Sequence, residues 1–149
     1  MIQPYYTRKS GVGTANLFEE DSDLEVDFIE YLEKSKGVES WFKNGKSDAT
    51  YFAVPHIEHG VERSFYVDFI VMQKGGRVGL FDTKGGLTAE TAKSRAEGLA
   101  KYIAEQNKKG KKLYGGIVLK EKNSWRYHDG LKYEYNPNNL KDWKFLDLN

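Results

Sequence analysis

The sequence has no cysteine. That excludes a disulfide framework, thiol catalysis and every zinc or iron–sulfur centre held by thiolates. Proline is limited to 3 residues in 149, and no internal repeat, low-complexity tract or linker interrupts the chain. The apolar stretches are all shorter than the 18 or more residues that span a bilayer, so no membrane segment is expected. The first nine residues, Met1 to Lys9, lack the apolar centre of a secretory signal, and a reducing, cytoplasmic setting is the expectation. No Gly-x-x-x-x-Gly-Lys-Ser/Thr run is present, which removes the phosphate-binding loop of nucleotide hydrolases. Net charge is only +1, so the overall balance does not by itself point to a polyanion.

What remains is ordinary globular material: 39% hydrophobic, 30% charged and 14% aromatic residues, too much core for a disordered chain. The length is that of one domain. The charges are unevenly placed. From Glu19 to Glu33 there are eight acids and no Lys or Arg, whereas from Lys84 to Arg126 eleven basic residues face four acids. A neutral whole with a basic half is compatible with a polyanion along one face, or with two solvated faces.

Periodicity supplies the elements. Ser22-x-x-Glu25 has the form of a capping box, and Leu24, Phe28 and Leu32 then recur at helical spacing. Val38–Asn44 and Tyr51–Pro55 read as two strands around a turn, Phe65–Met72 and Val78–Lys84 as a hairpin around Lys74-Gly75-Gly76-Arg77. Thr88 can cap a second helix in which Ala92, Ala96, Leu99, Ala100 and Ile103 line one face. Leu113–Leu119 follows as a buried strand, and Asp129-Gly130 predicts a C-terminal hairpin between Trp125–Tyr127 and Leu131–Tyr135. The order predicts an α/β chain, an α+β mixed sheet with helices packed on it, as one domain over 1–149. Its core is placed at about 21–119, with an extension over 120–149.

Two acids interrupt strands in which Asp is disfavoured: Asp68 in Phe65–Met72, and Asp82 in Val78–Lys84. Burying an unpaired carboxylate is costly, and a divalent cation would offset both. Lys84 lies two residues beyond Asp82, on the same sheet face, and Thr83 between them offers its backbone carbonyl. If the hairpin has an odd loop or a bulge, with Gly79 a candidate, Asp68 stands opposite Asp82 with Cβ atoms about 4.5–5.5 Å apart. One hard cation can bridge that span. On a wheel of about 100° per residue, Glu25 alone among the acids of the first helix falls inside its apolar arc. Carboxylates holding Mg²⁺ can lower the pKa of a bound water and neutralise charge on a phosphodiester, and Lys84 can orient or deprotonate that water.

The short pattern Asp-x-Lys recurs by chance, and Asp142-Trp143-Lys144 is a second copy. Asp68, then Asp82-x-Lys84, then a Gly-rich break, a helix and a strand is far more constraining. Weaker candidates for phosphate contact are Lys93, at the rim of the second helix, and Lys43. Lys108, Lys109, Lys111 and Lys112 read either as backbone contacts or as a solubilising loop. Trp125, Tyr127, Tyr133, Tyr135 and Trp143 read either as base-stacking groups or as core.

At these residues the sequence resembles the PD-(D/E)xK nuclease superfamily, and within it the nuclease domain of type III restriction enzymes and related helicase–nuclease proteins. The likeness runs from about Asp21 to Leu119 through Leu24-Glu25-x-x-Phe28, Trp41-Phe42-Lys43-Asn44-Gly45, Val67-Asp68-Phe69-Ile70-Val71, Gly79-Leu80-Phe81-Asp82-Thr83-Lys84-Gly85 and Ala96-Glu97-Gly98-Leu99. Val67 stands where the family name has Pro. The resemblance implies a restriction-endonuclease-like α-β-β-β-α-β core. It also implies Asp68 and Asp82 as metal ligands, Glu25 as the helix-borne acid and Lys84 as the catalytic lysine. The implied function is Mg²⁺-dependent endonuclease action on DNA, with Mn²⁺ substituting. Helicase motifs are missing, so the expectation is a domain of a longer polypeptide, or one working with a helicase/ATPase motor in trans. The alternative is a catalytically silent module of this fold that binds nucleic acid or a partner protein.

Overall fold

The computed structural model describes residues 5–8, 23–44, 53–83 and 89–149. The fold is mixed α+β, with a mostly antiparallel sheet and two helices. The main sheet runs, strand beside strand, through β1 (Tyr5–Arg8), β2 (Val38–Lys43), β5 (Phe69–Gln73), β6 (Val78–Thr83), β7 (Leu113–Glu121), β8 (Ser124–His128) and β9 (Lys144–Phe145). Every neighbouring pair is antiparallel except β6 and β7. That parallel pair is joined by helix α2 (Ala89–Lys108), as a parallel connection requires a crossover. Strands β3 (Val54–Glu58) and β4 (Val61–Phe65) form a separate hairpin.

A helix covers each face of the sheet. Helix α1 (Asp23–Lys34) buries Glu25, Phe28, Ile29 and Leu32. Phe28, Ile29 and Leu32 pack in one core with Trp41, Phe69, Val71, Phe81, Val118 and Trp125. Phe28 is its centre, with ring contacts to Phe69 at 5.1 Å and Trp125 at 4.9 Å. Helix α2 covers the other face, where Ala92 and Ala96 meet Ile117 and Trp143, and Leu99 meets Leu80, Val67 and the hairpin residues Val54 and Phe65. Period 2 along β6 therefore sends Phe81 to the α1 core and Leu80, with Asp82 in step, to the α2 side.

Two glycines let β7 lie between its neighbours. Gly115 and Gly116 have φ of 135° and 155°, and an added Cβ would stand 2.0 Å from the Leu80 carbonyl oxygen and 1.9 Å from that of His128. At these positions no side chain fits the backbone path.

Three expectations are corrected. Val54–Glu58 pairs with Val61–Phe65 through His59 and Gly60, both at positive φ (52° and 75°), and not with β2, whose partners are β1 and β5. The stretch from Phe65 to Met72 is two strands rather than one, broken at Tyr66-Val67-Asp68. The hairpin around Asp129-Gly130 is not formed. Strand β8 instead returns along β7 through a turn at Lys122 (φ 56°), and residues 129–143 hold no strand. A tertiary contact overrides the turn signal: the Tyr133 backbone amide donates to Glu97 on α2 at 2.8 Å, while Gly130 donates locally to His128 Nδ1. The capping residues Ser22 and Thr88 lie outside the described residues. No helix among those residues is long and apolar enough to cross a membrane.

Candidate metal centre at the end of β6

The hairpin register decides whether Asp68 and Asp82 can meet. Phe69 pairs with Phe81, Ile70 with Leu80, Val71 with Gly79 and Met72 with Val78. Gln73 N–H donates to the Arg77 carbonyl at 2.9 Å, which leaves Lys74-Gly75-Gly76 as an odd, three-residue loop. Gly75 and Gly76 both have positive φ, 90° and 85°, the backbone that glycine adopts without strain. No bulge occurs at Gly79; there the ring of Phe81 occupies the space a Cβ would need. Continuing the same register sets Asp68 opposite Asp82, as the sequence reading required.

The two acids are linked directly. The Asp68 backbone N–H donates to Asp82 Oδ1 at 3.1 Å. Asp68 Oδ2 accepts from both the backbone N–H and the hydroxyl of Thr83, each at 2.8 Å. Asn44, one residue beyond β2, donates its N–H to the Asp68 carbonyl at 2.9 Å and fixes this residue against the sheet end. Asp82 is 1% exposed. Burial raises its carboxyl well above the ordinary carboxylate range, the negative charge of Asp68 raises it further, and Arg95 opposes the shift. Burial also raises Asp68, followed by repulsion from Glu25. Two neighbouring acids both raised, by burial and then by the charge of Asp68 on Asp82 and of Glu25 on Asp68, hold protons that a cation can replace.

Glu25 enters from the first turn of α1, buried, as the wheel predicted for it alone among the helix acids. Its Oε2 lies 3.3 Å from Lys43 Nζ, with both side chains about nine-tenths buried. Lys43 alternates with Trp41 on the buried face of β2, so its place is inside the centre, against Glu25, and not on an outer face open to phosphate. Arg95, on α2, points one guanidinium nitrogen at Asp82 Oδ2, 3.4 Å away, while its charge lies 5.2 Å over the ring of Phe65.

The fold thus collects Glu25, Asp68, Asp82, Thr83, Lys43 and Arg95. Lys93 is not drawn in; it is exposed and pairs with Glu97 at 2.6 Å along α2. Lys84 lies outside the described residues. Arg95 is absent from the sequence reading. Its signal was available on the same helical wheel, because it borders Leu99 at the rim opposite Lys93. Thr83 was expected to contribute its carbonyl, yet its hydroxyl also reaches the carboxylate of Asp68. That is possible because Asp68 lies in the break before β5 and its side chain crosses the end of β6. The second Asp-x-Lys copy has no such surroundings: Lys144 pairs with Asp129, and Trp143 packs beneath α2.

Among the described residues, no three His, Cys, Asp or Glu side chains already stand as a metal-binding group. The carboxylates already face other partners: Asp68 accepts hydrogen bonds from Thr83, Glu25 is ion-paired with Lys43 and Asp82 with Arg95. The donor set itself fits a hard divalent cation. It consists of the buried carboxyl of Asp82 near the end of β6 and the partly buried carboxyl of Asp68 in the break before β5, with a third acid, Glu25, close enough to raise Asp68. Comparisons of the chain with family models, with curated proteins and with solved structures find no match.

Proposed function

We propose that this chain is a metal-dependent endonuclease domain that hydrolyses DNA phosphodiester bonds, of the kind found in type III restriction and helicase–nuclease systems. The observation that carries the reading is the Asp68–Asp82 carboxyl pair, held between the break before β5 and the end of β6 beside Glu25. The succession α1, β2, β5, β6, α2, β7, with two antiparallel pairings and then a parallel crossover, supports a restriction-endonuclease-like core into which the β3–β4 hairpin is inserted. DNA is preferred to RNA on the family resemblance, and a motor in cis or in trans would present the substrate.

Asp68 and Asp82 would hold Mg²⁺ or Mn²⁺, with Glu25 and the Thr83 carbonyl as further oxygen donors. Such an ion, when bound, neutralises charge on the phosphodiester and lowers the pKa of a water. The chain's own residues do the rest. Thr83 orients Asp68, Lys43 holds Glu25 within the cluster, and Lys84, next in sequence after Thr83, would orient the attacking water or steady the transition-state charge as the ammonium, or take the water's proton as the neutral amine. Arg95 offsets the charge of Asp82 until a cation does so.

The test is nicking of supercoiled plasmid with Mg²⁺ or Mn²⁺. The wild type cuts, whereas Asp82→Ala and Lys84→Ala do not. A second reading, a silent module that binds without cutting, is favoured by the three existing charge and hydrogen-bond commitments of the carboxylates. It predicts binding to DNA with no divalent dependence and no nicking in any variant.

A further inference from the structure

At the end of the sheet away from the carboxylates, three turns that are distant in sequence come together. The Lys74 N–H donates to the Gly37 carbonyl at 2.9 Å, and the Val78 N–H donates to the Lys112 carbonyl at 2.9 Å. The β5–β6 turn therefore lies between the turn that ends α1 and the loop that ends α2. Lys36, Lys74, Arg77, Lys109, Lys111 and Lys112 occupy these turns, and all six are exposed. None forms an ion pair among the described residues. Lys34 and Lys108 close the two helices and answer their negative C-terminal dipoles, so the six beyond them are surplus to that need. The acids at this edge are Glu39, exposed in β2 beside the Val38–Gln73 pair, and Asp147, beside Leu148, whose carbonyl accepts from Gly37 N–H at 2.8 Å.

The turns are ordered. Gly110 takes φ 93°, and the N–H groups of Lys109 and Lys111 both bond to the Gln106 carbonyl. The Arg77 guanidinium is seated 3.5 Å over the Tyr114 ring. In a chain of net charge +1, such segregation at one pole produces a local field that attracts a polyanion. From Arg77 to Asp82 the strand advances roughly 17 Å, about five base pairs of duplex at one charge per roughly 1.7 Å for the two strands.

We infer that this basic pole is a contact for the phosphate backbone of duplex DNA, separate from the carboxylate centre and independent of divalent cation. The inference goes beyond hydrolysis and shares with it only the ligand.

The test is fluorescence anisotropy of a labelled 30-base-pair duplex in EDTA, from 50 to 200 mM KCl. The full chain is compared with Lys74→Glu/Lys111→Glu/Lys112→Glu, its Gln counterpart, and Lys141→Glu as an exposed control elsewhere. The wild type and the control bind alike. Reversing three contacts makes the slope of log K against log salt shallower by about 2.7 and weakens binding at least tenfold at 50 mM, with the Gln variant between. Equal affinity and slope in the triple Glu variant overturn the inference, as does absence of duplex binding by the wild type. Binding to phosphatidylserine vesicles in preference to duplex overturns it in favour of a membrane surface. Plasmid nicking measured in parallel separates the two claims. Nicking with an unaffected triple variant sinks the pole alone, and pole-dependent binding without nicking sinks the nuclease alone.

Discussion

Replacing Asp82 by Asn should stabilise the metal-free protein at neutral pH. The substitution keeps the shape and the oxygen that accepts the Asp68 N–H but removes a charge from a site 1% exposed. At an effective dielectric constant of about 20, Arg95 at 3.4 Å attracts that charge by about 5 kcal/mol. Asp68, whose carboxyl lies within hydrogen-bond reach of it, repels it when ionised by an amount of the same order. The difference is smaller than the several kcal/mol that desolvating an ion costs, and the partial exposure of Arg95 weakens its side further. We expect Asp82→Asn to gain about 1–3 kcal/mol, or roughly 3–10 °C in Tm for a domain of this length, in EDTA at pH 7.5. The pH dependence has a definite sign. Asp68 and Asp82 are both raised in the folded state, so their protonated forms favour folding below the ordinary carboxylate range. That contribution is lost as pH rises through the raised folded values. Wild-type Tm in EDTA should fall along this rise, and the Asn variant should flatten it. A variant less stable than wild type at pH 7.5 would refute the reasoning, since it would mean that the Arg95 pairing outweighs burial and repulsion together.

Other perturbations test neighbouring parts of the account. Arg95→Gln removes the one described cation facing Asp82; stability in EDTA should drop by about 1–3 kcal/mol by denaturant melts, discounted from the buried-pair range for the exposure of Arg95, while Mn²⁺ binds at least fivefold tighter by calorimetry. Saturating Mg²⁺ at about 100 times its Kd should add about 2.7 kcal/mol to wild-type stability and nothing to Asp82→Asn, read by thermal melting. Gly115→Ala forces a Cβ against the Leu80 carbonyl at 2.0 Å, and denaturant melts should show a loss of about 3 kcal/mol or more from overpacking and backbone strain. Phe28→Ala, at the centre of the α1 core, should cost about 3–5 kcal/mol in the same assay.

Much of the centre was legible because it rests on short periods. Period 2 and an odd loop set Asp68 against Asp82, and the helical wheel singled out Glu25; both depend on local geometry that a linear sequence encodes. Lys43 obeys the same period, since it alternates with buried Trp41, yet a lysine at a strand end reads as surface until its partner on α1 is known. Arg95 was missed for a related reason: both rims of α2 carry a cation, and the rim that meets β6 is decided by how the crossover packs. The hairpin of β3 and β4 was hidden by its composition. Val61-Glu62-Arg63-Ser64 is exposed along its length and shows no apolar alternation, while the turn at His59 has little propensity signal. The Asp129-Gly130 turn shows the opposite failure, a strong local signal overruled by the hydrogen bond from Tyr133 to Glu97 on α2.

The central claim is that Asp68 and Asp82 share one divalent cation. Crystals soaked in Mn²⁺ and measured at its absorption edge test it most directly. One anomalous peak is expected, bonded to oxygens of both carboxylates, with Arg95 displaced from Asp82. A map with no peak there, and Asp82 still paired with Arg95 at saturating Mn²⁺, would contradict it.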